Sequence, residues 1–151
     1  MNRIDQTINL FSNNHNCSQS ILMTFGPDLD LPVELAQCIA APFGAGIGYQ
    51  GEVCGAVTGG IMVLGLLAGS KKLPLLEEKN FAYSMALEFL NNFRSQCGSI
   101  MCRELLGYDI STPENLDQVK KSGNFEAVCP RFVQTSAELL IRMIERNSTN
   151  R

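Results

Sequence analysis

Tryptophan is absent from this chain, histidine occurs once, and no basic run is longer than two residues. Each absence removes a class of function. Without tryptophan, and with its eight phenylalanines spread along apolar positions, the chain has no platform for stacking single-stranded bases. A formal charge of −3 and a pI near 5.1 point the same way, since nucleic-acid binding needs a dense basic surface. No Cys-x-x-Cys-His occurs, which excludes covalent c-type haem. The first residues, Met1-Asn2-Arg3-Ile4-Asp5-Gln6, lack a basic start followed by an apolar run. They predict no secretory leader and a cytoplasmic location, where thiols stay reduced. The longest uncharged stretch, Val53 to Ser70, falls short of the roughly 20 apolar residues of a membrane span and carries five glycines. It predicts a buried central helix and no membrane partner.

What is present is mostly helical period. Ile4, Ile8 and Phe11 mark a first helix, and Cys17, Ile21 and Phe25 a second that ends at Gly26-Pro27. A third runs from Val33 to about Ala41, and a central one from about Glu52 to Ala68. Phe81, Met85, Phe89 and Phe93 recur every four residues on a long helix from about Leu75 to Arg94 and read as core. Cys102 to Leu106 is a short helix closed by Gly107, and Thr112-Pro113-Glu114 caps another ending near Lys121. The last helix is predicted from Pro130 to about Arg146, with Cys129 as its N-cap, because proline favours the first helical position. Nothing alternates with period two. The prediction is an all-α bundle of about six to eight helices in a single domain over 1–151, with an ordered core over about 4–146 and a frayed tail over 147–151.

Two glycine patterns carry further expectations. Gly44 to Gly51 holds four glycines and no helical period, which predicts a loop bringing backbone close to another group. Gly55, Gly59 and Val63 form a small-residue stripe that lets another helix approach. The same stripe makes a homodimer a candidate state.

The six cysteines bear the chemistry. Cys17, Cys54, Cys102 and Cys129 each fall at a predicted helix start, where unpaired N–H groups favour a thiolate over a thiol. Cys38 and Cys97 read as small buried hydrophobes. His15, the one histidine, lies in the break Asn13-Asn14-His15-Asn16 and reads as a solvated residue rather than a base or ligand.

The order Asn16-Cys17-Ser18-Gln19-Ser20, then Gly51-Glu52-Val53-Cys54-Gly55-Ala56-Val57-Thr58-Gly59, then Cys102-Arg103-Glu104-Leu105-Leu106-Gly107, then Cys129 resembles the C-GCAxxG-C-C family. The resemblance spans about Cys17 to Cys129. In the family name glycine stands directly before the second cysteine and alanine directly after it. Here Val53 precedes Cys54, and Gly55 separates it from Ala56. The resemblance implies redox chemistry, in a family whose related domains accompany electron-transfer modules.

Three functional expectations follow. The first is thiol–disulfide exchange with an unidentified redox partner, Cys54 attacking and Cys17, Cys102 or Cys129 resolving. Glu52 would oppose a thiolate there, while Arg103 would favour one if it turned inward rather than forming a surface ion pair. The second is zinc or an iron–sulfur cluster held by Cys17, Cys54, Cys102 and Cys129. The third is a helical interaction module with inert, buried thiols.

Overall fold

The computed structural model describes residues 1–148. Among them, eight right-handed α-helices follow one another in a single all-α unit. They are α1 (Arg3–Ser12), α2 (Cys17–Phe25), α3 (Val33–Ala40), α4 (Gly55–Ser70), α5 (Leu75–Cys97), α6 (Cys102–Leu106), α7 (Pro113–Ser122) and α8 (Asn124–Ser148). No helix among these residues is long and apolar enough to cross a membrane.

Helix α4 is apolar all round, so it occupies the centre, with Ala56, Val57, Val63 and Leu64 fully enclosed. Its glycines decide what packs on each side. A Cβ on Gly55 would lie 2.9 Å from the backbone nitrogen of Ser18, and one on Gly59 would lie 3.0 Å from the Ser18 carbonyl. The stripe is therefore used within the chain, to seat α2. On another face Gly60 receives the Phe89 ring, which a Cβ would meet at 2.5 Å. Phe89, Phe93 and Phe132 continue as a ring cluster between α5 and α8, with centroids 6.2 and 6.5 Å apart. Ser136 on α8 donates a buried hydrogen bond to the Ala56 carbonyl at 2.8 Å and so fixes α8 against the first turn of α4.

Three boundaries differ from the sequence prediction, each for a local reason. Helix α4 starts at Gly55 rather than Glu52, because Val53 forms an extended antiparallel bridge with Met101. Helix α5 continues to Cys97, where Gly98 closes it at φ +92°. Helix α8 starts upstream of Pro130, at Asn124, so Cys129 lies inside the helix and is not its N-cap. Gly123 ends α7 in the left-handed region, and the chain re-enters a helix at once. Phe125 and Val128 then pack on the core. Their partial burial favours carrying the helix through Pro130, against the roughly 3 kcal/mol an interior proline costs. At the far end Asn147 and Ser148, expected to fray, are helical, and Lys71 Nζ donates to the Asn147 carbonyl at 2.6 Å. The rest of the expected tail, 149–151, lies outside the described residues.

Candidate functional site

Four separate elements deliver Cys17, Cys54, Cys102 and Cys129 to one place. Cys17 is the first residue of α2. Asn16 caps that helix by accepting from the Gln19 N–H at 2.9 Å, while the Gln19 side chain accepts from the Asn16 N–H at 3.0 Å. Asn16 also donates to the Ala41 carbonyl, which ties the cap to the next segment. Cys54 is the N-cap of α4, and its N–H donates to the Ile100 carbonyl at 2.8 Å. Cys102 opens α6, and its N–H donates to the Glu52 carbonyl at 2.6 Å. These two bonds flank the Val53–Met101 bridge and hold both cysteine-bearing helix starts in register. Cys129 comes from the interior of α8, one residue before Pro130.

The glycine-rich segment does more than loop. Ala45, Gly46, Ile47, Gly48 and Tyr49 all have φ between +52° and +68°, a run of left-handed helical residues. L-residues avoid this hand by about 1–2 kcal/mol each. The Gly48 N–H bonding to the Gly44 carbonyl at 3.1 Å, and the Glu52 N–H to Gly46 at 2.9 Å, hold the turn closed. Gly46 sits where no side chain fits: a Cβ would lie 2.6 Å from the Glu52 nitrogen and 2.7 Å from the Cys102 Cβ. The turn thus packs directly on Cys102. Strain of this kind concentrates at working sites.

The four cysteines are between 5% and 8% exposed and line a single cavity of about 270 Å³. Its walls are apolar, from Phe11, Leu105, Leu106, Phe125 and Phe132, and its polar lining includes Lys120, Tyr49 and Glu126. The larger cleft elsewhere in the molecule, about 1190 Å³, contains no cysteine and carries no comparable chemistry.

Inside the cavity, burial outweighs the helix starts. The Cys54 thiol is pushed up to about 12 by burial, although the N–H groups of Ala56 and Val57 favour its thiolate. Burial also pushes Cys102 up to about 12. Cys17 is raised, first because it donates a hydrogen bond to Cys129 and then by burial. Cys129 alone of the four is lowered, because it accepts that bond from Cys17. Of the four, Cys129 is the one whose surroundings favour the thiolate, and the cause is a neighbouring thiol rather than a helix terminus. Cys54, the expected attacker, is among the groups that keep their proton.

The remaining candidates fall outside this cluster. Cys38 is exposed, contrary to expectation: α3 buries Ala36 and Ala40, which leaves Cys38 on the outer face. Cys97 is half-buried at the end of α5. His15 is half-buried rather than solvated, its Nδ1 3.2 Å from the Leu10 carbonyl. Arg103 pairs with Glu52 at 3.6 Å, both side chains close to half exposed. Among the described residues no three His, Cys, Asp or Glu side chains are arranged to hold a metal ion. The four sulfurs offer suitable donors, yet as placed they do not form a coordination shell. Sequence reasoning missed Tyr49, Lys120 and Glu126. Lys120 carried no signal beyond a lysine pair, and Tyr49 sat in a segment whose hand the sequence does not display.

A family model described as "putative redox-active protein (C-GCAxxG-C-C)" matches residues 15–143, a span that includes all four cavity cysteines. The chain belongs to this family. No curated protein and no solved structure matches it.

Proposed function

We propose that this protein performs thiol–disulfide exchange, with Cys129 as the attacking thiolate and Cys17 as the resolving thiol. The observation that carries the reading is that Cys17 and Cys129, both buried, line one cavity, where the Cys17 thiol favours the thiolate of Cys129. It favours a thiolate at one sulfur and keeps a second sulfur within reach. In the exchange, the Cys129 sulfur bonds to one sulfur of an incoming disulfide, and that S–S bond breaks. The departing thiolate takes the proton that Cys17 gives up. The Cys17 sulfur then attacks Cys129, forming an internal disulfide and expelling the second thiolate, which takes up the proton Cys129 had released. The protein loses two electrons and the incoming disulfide gains them. Cys54 and Cys102 remain thiols near neutral pH.

The test is limited oxidation of fully reduced protein by a small disulfide, without oxygen, followed by alkylation and peptide mapping. The expected product is a Cys17–Cys129 disulfide, abolished by Cys17→Ser or Cys129→Ser and retained in Cys54→Ser. Thiols that never pair, or a product that omits Cys129, would overturn the assignment.

A second reading, cysteine-ligated zinc or an iron–sulfur cluster, is favoured by all four thiols lining one cavity. Its measurement is the metal and acid-labile sulfide content of protein purified without oxygen. Near-stoichiometric metal, lost on substitution of any of the four cysteines, would displace exchange as the primary function.

A further inference from the structure

We infer that the thiol cavity takes a small anionic disulfide, whose negative group Lys120 holds at the mouth while the S–S bond reaches Cys129. The inference rests on the exchange reading above and specifies its substrate.

Size comes first. The cavity, about 270 Å³, lies just below the usual range of small-molecule pockets. All four sulfurs lie inside it and are at most 8% exposed. A disulfide embedded in a folded protein is a poor match to so small and buried a site, whereas a disulfide on two short chains suits it.

Charge orders the ligand. Lys120 is exposed, lines the cavity, and its Nζ lies 4.6 Å from the centre of the Tyr49 ring. It forms no ion pair among the described residues, whereas its neighbour Lys121 is engaged with Asp117 at 2.8 Å. The ring holds the ammonium at the mouth without neutralising it, since a cation over an aromatic face keeps its full charge. Tyr49 itself lies on the left-handed turn that packs on Cys102. Glu126 contributes a carboxylate to the same lining and stands one helical turn before Cys129. An anionic group is repelled there and attracted at Lys120. The apolar walls of Phe125, Phe132 and Leu105 suit the uncharged methylene and sulfur atoms. The exchange is the balanced step given above: one substrate S–S bond breaks, one Cys17–Cys129 bond forms, and two small thiols leave.

The experiment uses fully reduced, full-length protein and three disulfides of similar length: dithiodipropionate, which is dianionic, hydroxyethyl disulfide, which is neutral, and cystamine, which is dicationic. A small disulfide-bonded protein is the fourth probe. The rate of forming the Cys17–Cys129 disulfide is followed by acid quench and mass spectrometry. Each rate is divided by that of the same probe with a free small dithiol, which removes intrinsic reactivity. A unit charge pair near 4 Å in water is worth about 1 kcal/mol, or about fivefold, and attraction and repulsion compound. The expected preference for the dianion over the dication therefore exceeds about tenfold at low salt and shrinks as salt screens it. Lys120→Gln brings the ratio close to one, and Lys120→Glu inverts it; the side chain is exposed, so both variants fold. A wild-type ratio near one, a ratio that survives Lys120→Gln, or a protein disulfide that reacts as fast as the small probes would each overturn the inference while leaving exchange standing. Failure of every probe to produce the Cys17–Cys129 disulfide would overturn the exchange reading, and the substrate assignment with it.

Discussion

Gly46 and Gly48 share one backbone hand but have different neighbours, which separates two costs. A Cβ on Gly48 meets nothing within 4 Å, so Gly48→Ala carries only the left-handed penalty, about 1 kcal/mol. Gly46→Ala adds contacts of 2.6 and 2.7 Å to that penalty and should cost several-fold more, roughly 2–4 kcal/mol. Gly65 in α4 also faces open space, with no left-handed φ, so Gly65→Ala should stabilise by about 0.5–1 kcal/mol. Denaturant unfolding of the three variants checks the order. Equal losses at Gly46 and Gly48 would mean that the turn does not press on Cys102. At this scale the sequence was half legible. Four glycines in eight residues advertised a close approach, and Gly46 makes one. The hand of the turn was hidden, because Ala45, Ile47 and Tyr49 are residues that ordinarily refuse it.

At the level of elements, periodicity together with cap and stop residues located every right-handed helix, and the errors collected where two local rules competed. Pro130 is the clearest case. Proline at a helix start is the commoner arrangement, and the sequence offered no sign that Asn124 to Cys129 would be helical as well. Burial of Phe125 and Val128 decided it, and burial is a tertiary quantity. The competing arrangements differ in a measurable way. Inside a continuous helix, Pro130 denies the Glu126 carbonyl its usual partner, so Pro130→Ala should raise stability by about 1–3 kcal/mol in denaturant unfolding. At a helix start the same change would be neutral or unfavourable. The site followed the same logic: the four cysteines were legible as a set from their neighbours in the chain. Their order of acidity was not, because desolvation at Cys54 and Cys102 and the neighbouring Cys17 thiol at Cys129 depend on what surrounds each sulfur.

For the molecule as a whole, protons and electrons are both linked to folding. Cys54 and Cys102 hold their protons to about 12 in the fold, while a thiol in the unfolded chain releases its proton near the ordinary value of 9.0. Between these limits the folded state binds more protons, so stability falls as pH rises. The stability these thiols contribute is complete below about 9 and lost toward about 12. Unfolding midpoints across that window should decline, and Cys54→Ala should flatten the decline; an unchanged slope would remove Cys54 as a cause. Oxidation acts in the opposite direction. A Cys17–Cys129 disulfide closes a loop of about 110 residues, which restricts the unfolded chain by an amount equivalent to roughly 4–5 kcal/mol if the bond forms without strain. The oxidised protein should melt well above the reduced one, and the Cys17→Ser variant should show no such gap.

That long separation also bears on biosynthesis. Cys17 emerges early and Cys129 late, on helices that meet only after α8 docks on α2 and α4. A nascent chain that has not yet produced α8 therefore lacks Cys129 and cannot form the Cys17–Cys129 pair. If exchange runs through that pair as proposed, it begins only once the final helix has docked, so completion of the fold times it.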